Sequence, residues 1–221
     1  MSISSALQEV KNSLPQQVCL VAVSKTKPNE LLIEAYNAGQ RIFGENKVQE
    51  LVAKQEALPK DIEWHMIGHL QSNKVKYIAP FVQLIHGVDS LKLLKEINKQ
   101  GKKFDRTINV LLQFFIASEI TKFGFSKAEA EELLQSDIYE SFGNIKVCGV
   151  MGMASNTDNE SQVKNEFQNL KRIFDQLQTC FFPSDSHFEH ISMGMSNDFE
   201  LAINCGSTMV RVGSKIFGNR S

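Results

Sequence analysis

The apolar run V-C-L-V-A-V-S-K-T-K-P places Lys25 where a strand should stop and a loop begin. In α/β folds the loops at the carboxyl ends of the strands carry the active sites. Pro28 closes this loop quickly. A lysine whose stem lies in a desolvated pocket has its pKa lowered and becomes nucleophilic toward an aldehyde. Lys27, further into the loop, reads as a surface lysine with its head in water. Far along the chain stand M-G-M-S (193–196) and V-R-V-G-S (210–214), small-residue turns of the kind that cradle a phosphate. The N–H groups of Gly213 and Ser214 and the Ser214 hydroxyl can point at phosphate oxygens. Ser196, at the start of the next helix, adds a hydroxyl and a helix N-terminus. An amine at one end and a phosphate cradle at the other fit a phosphorylated aldehyde held as a Schiff base.

Other residues have two readings each. Arg211 is a lone charge in T-M-V-R-V-G-S. It is either half of an ion pair on a barrel floor or a donor to a pyridine nitrogen, since a buried guanidinium needs a partner. Its proton is held with a pKa above about 12, so the ring nitrogen would stay unprotonated and the ring would be a weaker electron sink. In F-G-E-N, Asn46 either caps the following helix or reaches a ring hydroxyl at the barrel mouth, and Glu45 reads as structural. Met153, Met193 and Met195 are core methionines or lining for cofactor rings, the core reading being the commoner. His65 and His69 have metal spacing only on a helix. Gly68 and the apolar alternation make this a strand running into a loop, with no third ligand, so no metal is expected.

The elements that must position these residues alternate along the chain. Strands are expected at Val18–Val23, Arg41–Phe43, Trp64–Ile67, Phe81–Ile85, Thr107–Phe114, Ile145–Val150, His187–Ile191 and Thr208–Val212. Helices are expected near 29–38, 46–57, 72–79, 89–100, 126–135, 159–179 and 196–204, after an amphipathic segment at 3–13. This alternation implies parallel strands joined by crossovers. Eight units give an α/β fold of the single (β/α)8 TIM-type barrel, with an extra N-terminal helix covering the gap left after strand eight by the short S-K-I-F-G-N-R-S. An open doubly wound sheet with fewer strands is the alternative. The stretch at 99–106 reads as a solvated loop. Residues 1–221 are expected to form one domain.

Composition narrows the function classes. Of 221 residues, 42% are hydrophobic and 22% charged, with a net charge of −1, so nucleic acid is not expected as a partner. The start resembles no secretory or transit signal, and no apolar stretch nears the ~20 residues that span a bilayer. Cys19, Cys148, Cys180 and Cys205 form no C-x-x-C pair and read as reduced, pointing to the cytoplasm.

A-V-S-K-T-K-P, F-G-E-N-K-V-Q-E, W-H-M-I-G-H-L-Q-S-N-K, S-M-G-M-S-N-D and G-S-T-M-V-R-V-G-S-K-I-F-G, in that order over nearly the whole chain, resemble the pyridoxal phosphate homeostasis proteins. That family is similar to the barrel domain of fold-type III enzymes such as alanine racemase. The resemblance implies pyridoxal 5'-phosphate (PLP) on Lys25, Arg211 at the pyridine nitrogen, and the phosphate on Ser196, Gly213 and Ser214. It also implies Asn46 near the ring and Met153 as a ring-stacking residue. Lys47 stands where the family has an aromatic residue, and Phe115 where it has an asparagine, which would narrow the site.

A racemase of this fold needs two opposed acid/base groups. Lys25 can be one; in two-domain relatives the other is a tyrosine from a second domain. Tyr36, Tyr77 and Tyr139 all fall in or near helix segments away from the mouth. The expectation is therefore a monomeric carrier that buffers PLP or delivers it to apo-enzymes, without catalytic turnover. A PLP-dependent racemase or lyase is the alternative.

Overall fold

Residues 2–117 and 123–218 are described by a computed structural model. Eight strands run Cys19–Val23 (β1), Ile42–Glu45 (β2), Glu63–Met66 (β3), Leu84–Val88 (β4), Ile108–Gln113 (β5), Ile145–Met151 (β6), His190–Met195 (β7) and Met209–Val212 (β8). All neighbours are parallel, and β8 pairs with β1 to close the barrel in the order β1 to β8. The helices are Ile3–Ser13 (α1), Asn29–Asn37 (α2), Val48–Ala57 (α3), Val75–Ile78 (α4), Leu91–Lys103 (α5), Lys127–Leu134 (α6), Asp137–Glu140 (α7), Glu160–Phe181 (α8), Phe199–Asn204 (α9) and Ser214–Phe217 (α10).

Each strand buries two faces for two different reasons. Outward residues such as Ala22, Phe43, Trp64, Val110 and Val210 pack beneath the helices. Phe43 and Trp64, on adjacent strands, sit with ring centroids 6.0 Å apart. Full burial of each such side chain stabilises the fold by about 1.5–3 kcal/mol. Inward residues form two layers. Val21, Leu84, Leu111, Cys148, Met151 and Met209 make an apolar plug. His65, His86, Ser192 and Arg211 form a buried polar group joined across the interior. Gly149, at φ +145°, lets β6 approach β7, because a Cβ there would lie 1.9 Å from the His190 carbonyl oxygen.

The N-terminal helix does what the sequence implies. Ser2 caps it by accepting from the Ser5 N–H at 3.1 Å. It buries Ala6, Leu7 and Val10 and packs on α2 and on α10, the single turn that follows β8. The last three residues of the closing segment lie outside the described residues.

Several boundaries differ from the sequence reading. β4 begins at Leu84, not Phe81, because the Phe81 and Val82 amides bond back to Ile78 and finish α4. β7 begins at His190 and runs to Met195, so M-G-M is strand and not turn. The first segment of the 72–79 region is a 3-10 turn at Ser72–Lys74 leading into α4. Residues 99–103 belong to α5. The 196–204 helix starts only at Phe199.

Candidate functional site

A cavity of about 620 Å³ opens at the carboxyl ends of the strands, with walls from the segments after β1, β2, β3, β6, β7 and β8. Lys25, Asn46, Met153, Ser196, Arg211, Gly213 and Ser214 all line it. They come from distant parts of the chain, and the parallel closure of β8 on β1, with Val21 opposite Arg211, brings the two ends together.

Lys25 is half-buried in this open cavity, not sealed in a dry pocket. It occupies the turn Ser24–Lys27, closed by the Lys27 N–H to the Ser24 carbonyl at 3.1 Å. Lys27 lines the same cavity, which its sequence context did not reveal. The ionisable wall residues are Lys25, Lys27, Arg211 and Asp198, three cations against one carboxylate, a balance that favours an anion.

Arg211 is buried and has no carboxylate within ion-pair distance among the described residues, so the ion-pair reading fails. Its Nη1 donates to the Ser192 carbonyl at 2.8 Å and to Ser192 Oγ at 2.5 Å, and its Nη2 to the Gly152 carbonyl at 3.1 Å. The Nε–H and the second Nη2–H have no acceptor among the described residues. Burial pulls its pKa down to about 10, so the guanidinium remains charged at neutral pH.

An obligate donor stands at one end of this buried chain. Arg211 donates to Ser192 Oγ, whose hydroxyl also shares a hydrogen bond with His86 Nδ1, 2.9 Å away. His86 Nε2 and His65 Nδ1 share the next one at 3.0 Å. Both imidazoles are neutral. Burial pulls His65 down to about 3 and holds His86 well below the usual histidine range.

The residues expected to cradle a phosphate differ in local geometry from the sequence reading. Ser196 precedes α9 by three residues and does not open it, because Asp198 occupies the cap position. Its Oγ instead accepts from the Gly213 N–H at 3.1 Å, tying the β7 and β8 loops together. The amides of Ser196, Asn197, Ser214 and Lys215 make no hydrogen bond among the described residues. Asn46 does not cap α3; Lys47 holds that position, exposed and without a side-chain cap bond. Met153 and Met195 sit exposed at the mouth, whereas Met193 is core. Phe115 is not on the cavity wall, so it does not narrow the site.

Glu45 belongs to a buried ionic cluster. Burial pushes its carboxyl above the ordinary range, against the opposing pull of Lys54 and Ser24. On the other side of the cavity, buried Glu166 of α8 accepts from the Ser155 N–H at 2.7 Å and from Ser155 Oγ at 2.8 Å, holding the loop after β6.

The fold and cavity define a class: (β/α)8 barrels with a lysine after the first strand and, facing it across one cavity, the turns after the last two. The family model for the alanine racemase N-terminal domain matches residues 2–221. The pyridoxal phosphate homeostasis protein of Aquifex aeolicus (strain VF5) is 41% identical over 202 residues, covering 91% of this chain and 86% of that protein. That of Escherichia coli (strain K12) is 38% identical over 213 residues, covering 93% and 87%. PipY of Synechococcus elongatus PCC7942, solved with PLP bound, superposes with a TM-score of 0.87 at 33% identity, covering 98% of this chain and 100% of that one. The chain belongs to the pyridoxal phosphate homeostasis protein family. Alanine racemase from Bartonella henselae shares the fold, with a TM-score of 0.73 at 16% identity, and this chain covers 58% of it.

Proposed function

We propose that this chain is a PLP-binding protein that holds the cofactor as a Schiff base on Lys25 and takes part in intracellular vitamin B6 and amino-acid homeostasis. The observation that carries this reading is one cavity lined by a lysine, an arginine without a carboxylate partner, and the turns at Ser196 and Gly213–Ser214. The residues fit the cofactor. The excess of cations suits a phosphate, and the unused Arg211 N–H groups suit an acceptor nitrogen. Bound there, PLP supplies an aldehyde that an amine can capture and a ring that withdraws electrons. Lys25 is the amine, and the Ser196, Gly213 and Ser214 turns hold the phosphate. Arg211 donates to the ring nitrogen and keeps it unprotonated, Asn46 lies near the ring, and Met153 covers one of its faces.

The same geometry favours a carrier over an enzyme. Tyr36, Tyr77 and Tyr139 lie on α2, α4 and α7, and no tyrosine is among the described residues lining the cavity. The tyrosine that a racemase of this fold sets opposite its lysine thus has no counterpart among the described residues of the wall. The reading extends to a single-domain monomer of the cytoplasm that releases PLP to apo-enzymes. No helix among the described residues is long and apolar enough to cross a membrane.

The purified protein mixed with PLP is expected to gain a violet absorption band, and borohydride should then fix the cofactor on Lys25. Lys25→Ala should lose both signals. A colourless wild-type protein with no modified lysine overturns the reading. Incubation of the loaded protein with single amino acids in deuterated water should show no sustained α-proton exchange. Many turnovers of exchange would instead establish an enzyme.

A further inference from the structure

A buried ionic cluster beside the cavity grips the backbone on both sides of Lys25. The Lys54 ammonium of α3 is 5% exposed and has three N–H donors. All three are engaged: the Ser24 carbonyl lies at 2.7 Å, Glu45 Oε1 at 2.8 Å and Glu50 Oε1 at 2.7 Å. Ser24 Oγ donates to the same Glu45 oxygen at 2.6 Å. The Glu50 carboxylate also accepts from the Thr26 N–H at 2.6 Å.

Thr26 is held at φ +63°, in the left-handed region. A β-branched residue is strained there, where glycine is not. Such strain persists only when surrounding contacts enforce it. Here the contacts are identifiable. The residue before Lys25 is fixed by Lys54 and Glu45, and the residue after it by Glu50, two of these three groups coming from one helix. Neither Glu50 nor Lys54 lines the cavity.

We infer that Glu50 and Lys54 are positioning residues for Lys25: they clamp the Ser24–Lys27 turn in its left-handed form and so set the direction from which the amine meets a bound aldehyde. This rests on the reading of Lys25 as the PLP-bearing residue.

The experiment is a double-mutant cycle between Glu50→Ala and Thr26→Gly, read by PLP titration and by the induced circular dichroism of the bound PLP band at saturation. Melting curves are taken in parallel. Glu50→Ala alone should weaken PLP binding roughly tenfold, the factor expected when a left-handed β-branched residue loses its support. It should also change the induced dichroism per bound cofactor, which a loss of stability alone does not move. In the Thr26→Gly background the same Glu50 substitution should cost clearly less, since glycine takes the turn without strain. If Glu50→Ala does not fold, Glu50→Gln in both backgrounds gives the same comparison, with a smaller loss in the same direction. Wild-type affinity and dichroism in the Glu50 variant, or equal losses in both backgrounds, overturn the inference. A wild-type protein that takes up no PLP on Lys25 sinks the underlying reading instead, so the two failures are distinct.

Discussion

Arg211 shows how a single residue type can carry a chemical choice. A guanidinium in a barrel interior usually needs a carboxylate, and its charge would then be neutralised within the protein. Here its acceptors are two carbonyls and a hydroxyl, so its charge is left for a ligand. Two neutral imidazoles, His86 and His65, continue the buried chain from that hydroxyl. A pH dependence follows. His65 has a folded pKa of about 3, below its ordinary value near 6.5. Between those values the unfolded chain binds a proton and the folded chain does not, so stability falls as pH drops through that window and is fully present above it. The slope is about 1.4 kcal/mol per pH unit for one such group. Melting temperatures measured from pH 7 to pH 4 should therefore decline less steeply for His65→Asn than for the wild type, although the variant is less stable at pH 7. Parallel profiles would show that His65 is not buried and neutral.

At the level of strands and loops, the sequence was legible where its signal is local. Runs such as V-C-L-V-A-V and I-K-V-C-G-V declare strands through their β-branched residues, and Lys25 and Arg211 stand out as charges at the ends or in the middle of such runs. Legibility failed where a contact from elsewhere decides. The M-G-M run reads as a turn because of its glycine. Yet Gly194, at φ +92°, sits where the β7–β8 register shifts between Ser192 and Met195, and the strand continues through it. Phe81 reads as strand but ends a helix. Lys27 and the loop at Ser155 reach the cavity because α3 and α8 supply carboxylates to hold their loops, and no local pattern announces that. A glycine that is not itself on the cavity wall also matters. A Cβ on Gly68, after β3, would lie 2.5 Å from the Asn46 carbonyl oxygen and 2.8 Å from its Cα. Gly68→Ala should displace Asn46 and weaken PLP binding, as read by absorbance titration, while the far side of the barrel keeps its fold by circular dichroism. Unchanged affinity would remove Asn46 from the site.

At the scale of the whole barrel, the seam that closes the sheet is the junction of first and last elements. The one-turn α10 cannot cover its share of the sheet, and α1 wedges against it and α2. Leu7, 1% exposed, is the buried centre of that wedge. Leu7→Ala should cost about 2–5 kcal/mol and lower the urea midpoint accordingly. PLP binding in the absence of urea should survive, because α1 contributes nothing to the cavity. A neutral substitution would show that α1 is dispensable for closure. The same seam has a temporal meaning. Lys25 leaves the ribosome well before Arg211, yet Val21 and Arg211 are partners in the sheet. A nascent chain that has not yet emerged as far as β8 therefore carries the Lys25 amine without the strand that completes the cavity around it.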